Sequence, residues 1–113
     1  MAAVENAPPG SSYADRRPYV VIGRLDELRG PTGGVVTLDR RLHWSGVASF
    51  DLDNPRRLAS LYETVLREAS HPNDLVRWLD GPTLIRLWSN LVLPPQTRSV
   101  WETRFIELRR PAA

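Results

Sequence analysis

The fold is decided by residues 53–69, DNPRRLASLYETVLREA, in which apolar residues recur with the period of an α-helix. Asp53 or Asn54 can accept a hydrogen bond from the free amides of a first helical turn, and Pro55 suits the first helical position. The apolar positions are Leu58, Leu61, Tyr62, Val65, Leu66 and Ala69. This spacing predicts a helix that turns one face towards a core. On its other face, Glu63 and Arg67 have the spacing and order of a surface ion pair.

The rest of the C-terminal half is divided by prolines and a glycine into three shorter helices. Pro72 begins the first, Asp80-Gly81-Pro82 ends it and begins the second, and Pro94-Pro95 precedes the third. Helices of about ten residues are marginal in water, so these must pack on one another or on strands. The predicted core of this half consists of Leu61, Val65, Leu87, Trp88, Trp101 and Phe105.

The N-terminal half has the two-residue period of half-buried strands. Pairs and triplets at this spacing are Val36 and Leu38, Leu42 and Trp44, and Ala48, Phe50 and Leu52. Before them, the run Tyr-Val-Val-Ile at 19–22 suits a strand or a first core anchor, Leu25 and Leu28 fit one helical turn, and residues 30–34, GPTGG, form a turn cluster. The predicted fold class is α+β, with short N-terminal strands or a meander followed by a compact C-terminal bundle of about four short helices.

The length and composition indicate one domain. The chain has 113 residues, of which 42% are hydrophobic and 25% charged, which suffices for one core and excludes two full domains. Residues 1–17 have no apolar period, so we expect a disordered arm there, a single domain over 18–108 and a flexible tail over 109–113. We find no run near the roughly 20 apolar residues of a membrane helix, no secretory signal and no cysteine. We therefore expect a cytoplasmic protein that does not bind membranes.

The charge pattern argues against tight nucleic-acid binding. All 15 basic residues are arginines, and between Pro18 and Leu108 there are 11 arginines and 11 acidic residues. The net charge of +2 therefore comes from the ends of the chain. A protein that binds by neutralising phosphates needs a concentrated basic face.

No residue set predicts catalysis, a cofactor or a metal. Asp51 and Asp53 offer two carboxylates for a cation, but capping of the following helix explains Asp53 as well. His43 and His71 are the two histidines, and a zinc site needs further ligands. Ser45 is not surrounded by the glycine pattern of a nucleophile elbow. We predict that the protein is not an enzyme.

Two other patterns also have simpler explanations. The GPTGG turn lacks the lysine that completes a nucleotide-binding loop. The helices on either side of Asp80-Gly81-Pro82 resemble a helix-turn-helix, whose second helix must present polar side chains to bases. That helix offers mainly Thr83, Arg86, Ser89 and Asn90. Packing within a bundle is the alternative.

A protein partner is the leading functional hypothesis. The chain contains 4 tryptophans, 3 tyrosines and 15 arginines, the residue types that dominate interface hot spots. The candidate partner-binding residues are Arg67 on the long helix, Arg104 on the last one, and Trp78 and Trp101 as anchors; core packing is the alternative for each tryptophan. We predict a non-enzymatic protein-interaction module, and the alternative is a small nucleic-acid-binding regulator. The pattern does not predict the oligomeric state.

Several segments of the C-terminal half resemble those of a known group of proteins. They are Leu61–Ala69, Trp78-Leu79, Leu84–Trp88, Leu93-Pro94 and Trp101–Phe105. Over about residues 24–108 the chain is similar to small uncharacterised proteins of GC-rich bacteria that accompany nucleotidyltransferase-like toxins of the abortive-infection type. The resemblance implies an antitoxin-like or accessory partner of a larger bacterial protein. It brings no active site, and the chain lacks the winged DNA-binding domain of larger antitoxins.

Overall fold

The computed structural model describes residues 20–39, 42 and 49–109. Its elements, in chain order, are a 3-10 turn (Leu25–Glu27), β1 (Val35–Thr37), β2 (Ser49–Asp51), α1 (Pro55–Glu68), α2 (Pro72–Trp78), α3 (Gly81–Leu87), a second 3-10 turn (Trp88–Asn90), α4 (Pro95–Arg104) and α5 (Ile106–Arg109). A short sheet thus precedes four helices of seven residues or more, which confirms the predicted α+β class. The predicted arm over residues 1–17 lies outside the described residues, as do residues 110–113 of the predicted tail.

The sheet is smaller than the two-residue period suggests. β1 and β2 are antiparallel, with Val36 opposite Phe50, and Phe50 is buried where β2 packs on α1. Leu42 is buried in a turn rather than a strand, while Trp44 and Ala48 lie outside the described residues. The segment 20–22 forms no strand; Ile22 is instead buried in the core, which confirms the anchor alternative.

α1 begins and ends where its sequence predicts. The side-chain oxygen of Asn54 accepts hydrogen bonds from the backbone N–H groups of Arg56 and Arg57, at 3.0 and 3.2 Å. Asn54 rather than Asp53 is therefore the cap, and the N–H of Asp53 donates to Asp51 Oδ1 at 3.0 Å in the turn before the helix. At 14 residues α1 is the longest described helix, and none of the described helices has the length and apolar character needed to cross a bilayer.

Carboxylates stabilise the starts of the two short helices that follow. Asp74 accepts hydrogen bonds from the backbone N–H groups of Ser70 and His71, at 3.1 and 3.2 Å, just before α2. Asp80 accepts from both the backbone N–H and the hydroxyl of Thr83, at 3.2 and 2.7 Å, at the start of α3. These contacts satisfy amides that a helix start leaves without a partner.

The helices share one core. Trp101 lies between Trp88 and Phe105, with ring centroids 6.3 and 5.6 Å apart. Of the six predicted core residues, Leu61, Val65, Trp88, Trp101 and Phe105 are buried, as expected. Leu87 is only partly buried and packs against the edge of this core.

The segment before β1 crosses the helices in close backbone contact. The N–H groups of Arg29 and Gly30 donate to the carbonyl oxygens of Val76 and Leu79, at 2.9 and 2.7 Å. A Cβ at Gly30 would lie 2.3 Å from the carbonyl carbon of Trp78, so only glycine allows this approach. The other end of the segment lies equally close to α3, since a Cβ at Gly81 would lie 2.7 Å from the carbonyl oxygen of Leu25. The first 3-10 turn therefore lies against the start of α3.

Candidate interaction groove

A groove of about 580 Å³ opens to solvent between three parts of the chain. Its walls are Gly23–Asp26, the first residues of α3 as far as Ile85, and the junction of α4 and α5 from Thr103 to Glu107. The apolar residues that line it are Leu25, Pro82, Ile85, Phe105 and Ile106. Leu25 and Phe105 are buried and form the floor, whereas Ile85 is 41% exposed and Ile106 is 65% exposed.

Local helix geometry turns both isoleucines outward. Leu84 is fully buried, and Ile85 lies about 100° further round α3, so its side chain leaves the core. At Phe105 the backbone is extended, with φ of −124°, and this break ends α4 before the single turn of α5. Leu108 on α5 is buried, which leaves Ile106, about 200° away on the same turn, on the outer face.

The rim of the groove carries two arginines and two carboxylates. On one wall Arg24 and Asp26 form an exposed ion pair at 2.6 Å. On the other, Arg104 and Glu107 lie on either side of Phe105 and Ile106. The groove is therefore apolar in its centre, polar at its rim and neutral in total charge.

Arg104 connects this rim to the N-terminal segment. Its Nε–H donates to the carbonyl oxygen of Ile22 at 2.6 Å, and its guanidinium carbon lies 5.9 Å from the centre of the Phe105 ring. Because Ile22 directly precedes Gly23 at the groove wall, this bond fixes the distance between two of the three walls.

The four predicted partner-binding residues do not form one site. Arg104 lines the groove, and Arg67 is exposed on α1, outside the groove lining. Trp78 is 6% exposed and Trp101 is 1% exposed, which favours the core alternative for both. Trp101 is enclosed by Trp88 and Phe105, and Arg77 lies 4.9 Å from the ring of Trp78.

Sequence reasoning missed Ile85 and Ile106. Neither residue belongs to a motif, and each stands next to an apolar neighbour that is buried. The available signal was position: Leu84 and Leu108 are buried, and a residue one or two places away on a helix faces elsewhere.

A buried hydroxyl supports the α3 wall. The Tyr62 oxygen accepts a hydrogen bond from the backbone N–H of Asp80 at 2.9 Å, and Asp80 in turn caps α3 through Thr83. Burial raises the pKa of the Tyr62 phenol. This network joins α1 to the helix that carries Ile85.

The helix-turn-helix alternative loses part of its proposed reading surface. Thr83 is buried and its hydroxyl donates to Asp80, so it cannot reach a base. Ser89 and Asn90 lie in the 3-10 turn after α3, and Arg86 is the one of the four polar residues that is exposed within α3 itself.

The remaining candidate ligands do not converge. Within residues 20–39, 42 and 49–109, we find no group of three or more histidine or acidic side chains placed to hold a metal ion. Asp51 accepts the N–H of Asp53, and the exposed His71 precedes α2. His43 and Ser45 lie outside the described residues.

In comparisons with protein-family models, with curated proteins and with solved structures, nothing matches this chain. The resemblance to small partners of abortive-infection toxins therefore stays a prediction.

Proposed function

We propose that this chain is a non-enzymatic protein-interaction module that binds protein through the groove. The observation that carries this proposal is the pair of exposed isoleucines, Ile85 and Ile106, which line one concave surface above an apolar floor. Single exposed apolar side chains are common on soluble proteins. Two that continue a floor of Leu25 and Phe105 make a contiguous apolar surface, which is typical of a binding site.

The rim has the composition of a protein interface. Apolar residues occupy the centre, and charged residues with access to water surround them, which is the usual arrangement of such surfaces. Arginine, present here as Arg24 and Arg104, is enriched among residues that dominate binding energy. The bond from Arg104 to Ile22 holds the rim in place before a partner arrives, so less conformational freedom is lost on binding.

The nucleic-acid alternative finds less support at this site. The two guanidinium groups of the rim are matched by the carboxylates of Asp26 and Glu107, and a phosphate backbone would be repelled by these. The resemblance to toxin partners indicates a class of protein to test, a larger bacterial protein.

Site-specific photo-crosslinking tests the proposal. A photoreactive amino acid is placed at Ile85 and, as a matched control, at Val92, which is 76% exposed but outside the groove lining. We expect irradiation of the native cell extract to join a defined protein to position 85 and not to position 92. Ile106→Asp in the same chain should abolish that product, whereas Arg56→Glu on α1 should leave it unchanged.

Three results would contradict the proposal. They are the same crosslinked products at both positions, a product that persists in the Ile106→Asp variant, and sub-micromolar, salt-sensitive binding to duplex DNA with no crosslinked protein. The last result would favour the nucleic-acid alternative.

A further inference from the structure

We infer that the protein bound in the groove is a second copy of this chain, related by a two-fold axis that sets the segment Arg104–Glu107 of each copy against that of the other. The inference rests on the proposed function, because it names the occupant of the same groove. It follows from the order of charges along this segment, from the unused hydrogen-bonding capacity at its ends and from the exposed isoleucine between them.

The order of charges makes the segment complementary to itself. Arg104 is positive, Glu107 is negative, and Phe105 and Ile106 lie between them. When two such segments run antiparallel across a two-fold axis, Arg104 of each copy faces Glu107 of the other. In a two-fold interface a contact between two residues always occurs twice, so one axis yields two opposite-charge pairs.

A strongly charged partner would fit this rim less well. The rim holds Arg24 and Arg104 together with Asp26 and Glu107, so a basic or an acidic partner would meet like charge at about half of it. Like charges in contact across an interface disfavour the wrong partner. A second copy brings the same mixture of signs and can satisfy both.

Both charged groups have free bonding capacity. Within the described part of the chain, the side chain of Glu107 makes no hydrogen bond and no ion pair, and the guanidinium group of Arg104 donates to Ile22 through Nε–H and makes no other hydrogen bond. A guanidinium group has five N–H donors, so the terminal nitrogens of Arg104 can bind a carboxylate with two parallel hydrogen bonds while Nε stays on Ile22.

The apolar residues gain from the same arrangement. Ile106, 65% exposed, would lie beside the axis next to its own symmetry mate, and Ile85 would close the groove around it. Covering these side chains removes apolar surface from water. It also excludes water from the two Arg104–Glu107 pairs, which strengthens them relative to exposed pairs.

The oligomeric state of the full chain tests the inference. Sedimentation velocity from about 1 to about 500 μM covers the range of modest homodimer affinities. We expect a reversible dimer for the wild-type chain. Glu107→Arg would set Arg104 against arginine, and Ile106→Asp would place a charge at the axis, so each should raise the dissociation constant by about tenfold or more. Val92→Asp and Arg56→Glu, at exposed positions outside the groove, should leave it unchanged.

A mixing experiment separates pairing from any effect on the monomer. Arg104→Glu and Glu107→Arg should each weaken self-association, because each sets like charges together. Mixed, the two variants should form a heterodimer, since both contacts then join an acidic to a basic residue. Circular dichroism confirms that each variant is folded; if Arg104→Glu, which loses its bond to Ile22, does not fold, then Glu107→Arg and Ile106→Asp decide the question.

The inference is overturned if the wild-type chain is monomeric over the whole range, if its dimer is insensitive to Glu107→Arg and Ile106→Asp, or if folded variants do not associate on mixing. The proposed function can survive that outcome. If the chain is monomeric but still crosslinks another protein through position 85, the partner is not a second copy, and the groove is still a binding site. If neither a dimer nor a crosslink through position 85 forms, both proposals fail.

Discussion

The indole N–H of Trp88 donates a hydrogen bond to Oε2 of Glu102 at 2.8 Å, and this bond joins the second 3-10 turn to α4. Trp88 is buried. The guanidinium carbon of Arg98 lies 5.0 Å from the centre of the Trp88 ring, and its Nη1 lies 3.6 Å from Oε2 of Glu102. Glu102 directly precedes Thr103, the first residue of the groove wall at the junction of α4 and α5, so the contact lies beside the groove.

Loss of the Glu102 acceptor should destabilise the protein without unfolding its core. Glu102→Leu leaves the indole N–H of Trp88 without a partner, and an unsatisfied buried donor costs about 1–3 kcal/mol. We expect a drop of that size in the free energy of unfolding, measured by urea denaturation. The control is Glu27→Gln, at an exposed position outside the groove lining, whose side chain makes no hydrogen bond and no ion pair within the described residues; an equal loss in both variants would contradict the assignment.

Deletion of a core side chain on α1 should cost more. Leu61 is fully buried at the centre of the α1 apolar face, so Leu61→Ala should lower the free energy of unfolding by about 2–5 kcal/mol. Val92→Ala removes an exposed side chain of similar type and should change stability by less than about 0.5 kcal/mol. The same denaturation measurement compares the two, and similar values would show that α1 is not packed as described.

A methyl group at Gly30 should be poorly tolerated. A Cβ at this position would lie 2.3 Å from the backbone carbonyl carbon of Trp78 and 2.5 Å from the backbone nitrogen of Leu79. The segment before β1 must therefore move, and its two backbone hydrogen bonds to the helices must weaken. Overpacking of this kind costs about 1–3 kcal/mol or more. Gly23→Ala is the matched control, since its nearest neighbour is the side-chain oxygen of Glu27 at 3.4 Å. Thermal melting should separate the two variants clearly.

The alkaline limit of stability should depend on Tyr62. Burial raises the pKa of its phenol above the ordinary value of 10.0, so the folded chain retains a proton that the unfolded chain releases. The stabilisation is complete below pH 10 and is lost as pH rises through the folded pKa. Few other side chains titrate there, because the chain has no lysine or cysteine.

The measurement is the free energy of unfolding against pH. Above pH 10 it should fall more steeply for the wild-type chain than for Tyr62→Phe, which has no proton to lose. Tyr62→Phe should also be less stable at neutral pH, since the N–H of Asp80 loses its acceptor. Parallel curves for the two proteins would show that Tyr62 titrates normally.

Local patterns were sufficient wherever a few neighbouring residues set the structure. The period of Leu58, Leu61 and Val65 required a helix, because only one helical face could bury them together. Pro72, Gly81 and Pro95 marked helix starts through backbone constraints that act within one or two residues. The turn at Leu25–Glu27 was also visible locally, from Leu25 and Leu28.

The strands were harder to predict. The two-residue spacing of Leu38 from Val36, and of Leu42 from Trp44, shows that both leucines can be buried, and both are. It does not show whether the backbone between them finds a hydrogen-bonded neighbour, and that requirement makes a strand. Leu42 is buried in a turn instead.

The candidate site depended on contacts between distant residues. Tryptophan serves both cores and interfaces, and the burial of Trp101 depends on Trp88 in the second 3-10 turn as well as on its near neighbour Phe105. The groove exists because residues 23–26, 81–85 and 103–107 meet in space, and the bond from Arg104 to Ile22 spans 82 positions. The sequence alone therefore determined the helices and the apolar faces that they bury, since these depend on neighbours within a turn. The surface left exposed was decided by packing, because segments that are remote in sequence determine which side chains are covered and which stay in contact with solvent.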